Sequence, residues 1–68
     1  MQRFGPALRR VAAELDLPRR ARTALLLELA ADLEDVYEHY RAAGLSEAEA
    51  ARRAERMVLA SPEVIRRL

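Results

Sequence analysis

Cysteine, lysine and tryptophan are absent from this 68-residue chain, and glycine (2), proline (3) and aromatics (Phe4, Tyr37, Tyr40) are scarce. The lack of cysteine excludes a disulfide scaffold and any thiolate metal site, and it fits a reducing compartment. The longest apolar run, Ala24–Leu27, falls far short of the ~20 residues that cross a bilayer. No charged n-region followed by an apolar h-region opens the chain as a secretory signal would. β-Branched residues are limited to Val11, Thr23, Val36, Val58, Val64 and Ile65, and no alternating run is long enough for a strand. A β fold, a membrane-spanning chain and a disulfide-stapled domain are therefore all disfavoured, and the expected location is the cytoplasm.

Ala, Leu and Arg fill the space these absences leave, and Ala and Leu are strong helix formers. The length sets a single domain, residues 1–68. A chain this short buries only about 60% of its unfolded surface. Without a staple it depends on close helix packing or on a partner. The net charge is +1 but unevenly spread. Residues 1–27 carry +4, residues 28–51 carry −6 and residues 52–68 carry +3. This basic–acidic–basic order suits helices tied to one another better than a polyanion site. Every cation is Arg.

The spacing predicts an all-α fold: a compact three-helix bundle with a short fourth helix at the C-terminal end. The first helix opens at Pro6, where a missing N–H costs nothing. It presents Phe4, Leu8, Val11 and Leu15 to one side and ends before Pro18. A second helix runs from Pro18 or Arg19 to Ala43, with Leu25, Leu29, Leu33, Val36, Tyr40 and Ala43 as its apolar stripe, widened by Leu26 and Tyr37. Gly44 supplies the left-handed position that ends it. Ser46 caps the third helix, with Glu49 completing a capping box, and Ala50, Ala54, Met57 and Val58 face inward. Ser61-Pro62 repeats the start signal for the fourth helix, whose apolar residues are Val64, Ile65 and Leu68.

Glu28, Asp32, Asp35 and His39 follow one another at spacings of four, three and four residues, so they share a helix face beside that stripe. Carboxylates with an imidazole suit a divalent metal, yet one helix seldom converges more than two ligands on an ion. A solvated acidic face, partly paired with Arg of the first or third helix, is the preferred reading, and no metal or cofactor is expected. His39 has no Ser or Cys nucleophile in a recognisable arrangement, so no catalytic residue is assigned. Tyr40 reads as core, and Tyr37 at the stripe's edge as a rim-of-core residue, with an interface anchor as the alternative. The run LSEAEAARRA is like the opening of many helix-turn-helix units. DNA binding nonetheless ranks low, because an acidic centre repels phosphate and no basic recognition helix follows. Arg9, Arg10, Arg19, Arg20 and Arg22 also suit an anionic membrane surface.

From Arg20 to Leu68 the chain resembles the bacterial HAAS domain, of the permease-prefix type. The matching residues are Glu28-Leu29, Leu33-Glu34-Asp35, Glu38, Gly44, Ser46-Glu47, Glu49-Ala50 and the Ser61-Pro62 turn. Asp32 stands where that family often has His, and Ala60-Ser61-Pro62 replaces a common Gly-Asp-Pro turn. The resemblance implies a non-catalytic signalling or interaction module at the cytoplasmic N-terminus of a bacterial membrane protein. Many such domains are associated with PadR-type repressors. The expected function is thus a protein–protein interaction or regulatory module, with Glu28, Asp32, Asp35, Tyr37 and His39 as its partner-binding candidates. The expected partner is a protein, for instance a membrane protein or a membrane segment that follows Leu68. A structural subunit docking on a larger assembly is the main alternative, and association with a second copy stays open.

Overall fold

A computed structural model describes residues 3–60. Three helices follow in order: α1 (Gly5–Glu14), α2 (Arg19–Ala42) and α3 (Glu47–Leu59). Among the described residues there is no strand, and the fold is all-α. The expected fourth helix, with Val64, Ile65 and Leu68, lies outside the described residues.

Helix α1 has Pro6 in its first turn and no side-chain cap; the Leu8 N–H instead donates to the Phe4 carbonyl at 2.9 Å. It ends earlier than the proline requires, because Leu15 turns extended (ψ 125°). That turn buries the Leu15 side chain. Helix α2 begins directly after Pro18, whose carbonyl accepts from the Arg22 N–H at 2.9 Å.

At its other end α2 closes with paired backbone bonds, Leu45 N–H to the Tyr40 carbonyl (3.1 Å) and Gly44 N–H to the Arg41 carbonyl (3.0 Å). This Schellman arrangement places Gly44 at φ +102°, a backbone state that L side chains adopt only with strain. Arg41 reinforces it by donating from Nη1 to the Leu45 carbonyl at 2.8 Å.

Helix α3 starts at Ser46, whose Oγ accepts from the Glu49 N–H at 3.2 Å. The reciprocal half of the expected capping box is missing. The Glu49 carboxylate turns outward and accepts from Arg52 Nη2 at 2.8 Å.

The core joins Phe4, Val11 and Leu15 to Leu25, Leu29, Leu33 and Tyr37, and these to Ala50, Ala54 and Val58. Leu33, Ala50 and Ala54 are fully enclosed. Methyl-sized residues on α3 let its backbone approach α2 closely, and α2 with α3 forms the most extensive helix contact. Phe4 meets Tyr37 edge to face, with centroids 6.1 Å apart. That contact puts the start of α1 beside the second half of α2, so the two helices run antiparallel.

Two expected inward positions face solvent instead. Met57 is 57% exposed, and Ala43 is exposed at the helix end. The tyrosines exchange places: Tyr37 is buried and Tyr40 only half-buried. The cause is the row Leu25–Leu29–Leu33–Tyr37, four residues apart at every step, which drifts around the helix toward α1. Arg3 and Phe4 cover the Tyr37 flank, whereas Tyr40 meets Arg53 at the rim.

Candidate functional site

Glu28, Asp32, Asp35 and His39 are all exposed on α2, and the helical repeat aligns them in a row turned away from the buried line. Regular helix from Arg19 to Ala42 holds this row rigidly. Leu29 and Leu33, about 100° further round the same turns, fasten it to the core.

Charge pairing across the helices is sparser than the sequence suggests. Among the described residues one ion pair joins distant parts of the chain, Arg3 Nη1 just before α1 to Glu34 Oε1 of α2 at 2.7 Å, with both side chains 44% exposed. The Arg3 guanidinium also lies 3.9 Å above the Tyr37 ring. An exposed ion pair contributes about 0.2–1 kcal/mol, and a cation–π contact at the surface adds about 0.5–1 kcal/mol. The second pair, Arg52 with Glu49, lies within α3. Hence, among the described residues, neither Glu28, Asp32 nor Asp35 is engaged in an ion pair. The expected pairing of this face with Arg of the first or third helix is not seen among the described residues; Arg3, which precedes α1, pairs with Glu34 instead.

Tyr37 does not belong to this surface. It is 7% exposed, and no buried side-chain polar atom among the described residues lacks a partner. Its hydroxyl therefore emerges at the edge while its ring fills the core. His39 packs edge to face on Tyr40 at 5.4 Å, and Arg53 lies 5.7 Å from the same ring on another side. Together with Arg41, His39 stands in the last turn of α2, where a cation interacts favourably with the helix dipole. Among the described residues no three His, Asp or Glu side chains come together in a way that could hold a metal ion.

Two features escaped the sequence reading. The first is the Arg3–Phe4 clamp over Tyr37, for which an Arg beside an aromatic is too common a signal. The second is an open hollow of about 780 Å³ between α1 and α3, bordered by Arg10, Glu49, Arg52, Glu55, Arg56 and Leu59. Arg52, and more weakly Arg53 and Arg56, hold the Glu49 carboxyl below its usual value. Three Arg and two Glu border this hollow, so opposite charges largely offset one another and leave a small positive excess.

No helix among the described residues is long and apolar enough to cross a membrane. No protein-family model, curated protein or solved structure matches the chain.

Proposed function

We propose that this chain is a non-catalytic protein–protein interaction or regulatory module that presents the acidic row of α2 to a basic partner surface. Glu28, Asp32 and Asp35 supply the charge, and His39 forms the end of the contact. Tyr37, as a core residue, takes no direct part. The observation that carries this reading is the exposure of three acids that no Arg of the described residues neutralises. Clustered unpaired charge on a rigid helix steers an oppositely charged partner and fixes its register.

The resemblance of Arg20–Leu68 to permease-prefix domains supports the same reading. It suggests a cytoplasmic module at the inner face of a membrane, with a membrane protein or an attached membrane segment as its partner. The test is the double reversal Asp32→Arg with Asp35→Arg. Partner capture from the native host, followed by titration of the purified pair, is expected to be lost while helicity by circular dichroism is unchanged. Capture that survives the reversal would place the contact on another face.

A further inference from the structure

A neighbouring face of α2 carries a second pattern, independent of the acidic row. Arg20, Ala24, Leu27, Ala31, Glu34 and Glu38 are spaced four, three, four, three and four residues apart. This is the repeat that keeps one seam of a helix facing a partner helix. The seam lies opposite the buried line Leu25–Leu29–Leu33–Tyr37, and Leu27 at its heart is 68% exposed. A shallow groove of about 580 Å³ runs beside Leu27, bordered by Arg19, Arg20, Thr23 and Ala24.

We infer that this seam binds a second copy of the chain, with the two α2 helices antiparallel about a two-fold axis that passes midway between Leu27 and Ala31. The seam is self-complementary. Under that rotation Arg20 of each copy meets Glu38 of the other, and Leu27 of each meets Ala31 of the other. Ala24 meets Glu34, which is already tied to Arg3 at the rim. Small residues at Ala24 and Ala31 permit close approach, while Leu27 supplies the knob. Opposite charges at the two ends select the antiparallel pairing, because a parallel one would set Arg20 against Arg20 and Glu38 against Glu38.

A further observation points the same way. The first turn of α2 has no acid but carries Arg19, Arg20 and Arg22, an order that opposes the helix dipole. A partner's Glu38 brings the missing negative charge to that end. Leu27 is the one large apolar side chain each copy brings to the seam, so the dimer is weak and reversible.

The experiment is sedimentation equilibrium of the whole chain from about 10 µM to about 1 mM. A monomer–dimer equilibrium closing at two is expected, since an isologous contact leaves no open face. Arg20→Glu should weaken association about tenfold or more. Adding Glu38→Arg to that variant should restore it, because the swapped charges pair again, and Leu27→Asp should abolish it. Asp32→Arg should leave dimerisation unchanged, which separates this contact from the acidic-row reading. All substituted side chains are exposed, and circular dichroism checks each fold. A chain monomeric at the highest concentration, species larger than a dimer, or a dimer indifferent to Arg20→Glu and its swap would each overturn the inference.

Discussion

Tyr37 and Tyr40 stand three residues apart on one helix, yet their surroundings differ enough to give opposite consequences on truncation. Tyr37 fills space between α1 and α2, with Phe4 at its edge and Arg3 over its face. Tyr40 covers the rim and meets His39 and Arg53. Urea unfolding of Tyr37→Ala should therefore show a loss of about 3 kcal/mol or more. The same change at Tyr40 should cost about 1 kcal/mol, as surface truncations do. An equal or reversed order would mean that the clamp over Tyr37 is not formed in solution.

Glu49 provides a pH test at the same scale. Its folded-state pKa lies below the ordinary 4.5, chiefly through Arg52. The ionised carboxylate thus adds stability that is fully present above the ordinary value and is lost as pH falls through the lowered one. Acid titration of wild-type protein should show that loss, and Glu49→Gln should remove its share of it. Identical acid profiles for the two proteins would show that the Arg52 contact does not persist.

At the scale of elements, the boundaries were the most legible part of the chain, because each rests on a local signal. Pro6, Pro18, Gly44 and Ser46 act within a few residues of themselves, and helix starts and stops fall close to where these residues place them. Gly44→Ala should cost about 1–2 kcal/mol through its positive φ alone. Nothing lies within 4 Å of a Cβ built there, so a clash cannot be the cause. A neutral Gly44→Ala would show that the turn takes another form. What stayed illegible depends on how helices meet. Periodicity marks an apolar side, but choosing between Tyr37 and Tyr40, or between Met57 and solvent, requires knowing which flank α1 covers. Likewise the Glu49 carboxylate had two partners within reach, the Ser46 N–H and Arg52, and only the folded arrangement decides for Arg52. The four candidates Glu28, Asp32, Asp35 and His39 were legible as a shared face, since spacing on one helix is enough for that.

At the scale of the whole molecule, unequal helix lengths decide what is left for function. Helix α2 has 24 residues against 10 in α1 and 13 in α3. The longest dimension, 39 Å, approaches the length of α2 itself. The radius of gyration of 12.1 Å exceeds the roughly 11 Å of a compact domain this long. Shorter neighbours pack against the buried line of α2, and among the described residues nothing covers its outward side. The acidic row and the Arg20–Glu38 seam lie on the exposed faces of α2, so one helix is core on one side and carries both proposed contacts on the others.

An acidic row that serves contact and not fold can be reversed in charge without unfolding the bundle, and thermal unfolding of Asp32→Arg with Asp35→Arg beside wild type measures this. The stability of the double variant should stay within about 1 kcal/mol of wild type. A loss of several kcal/mol would show that these carboxylates hold the helices together, leaving the proposed surface without its basis.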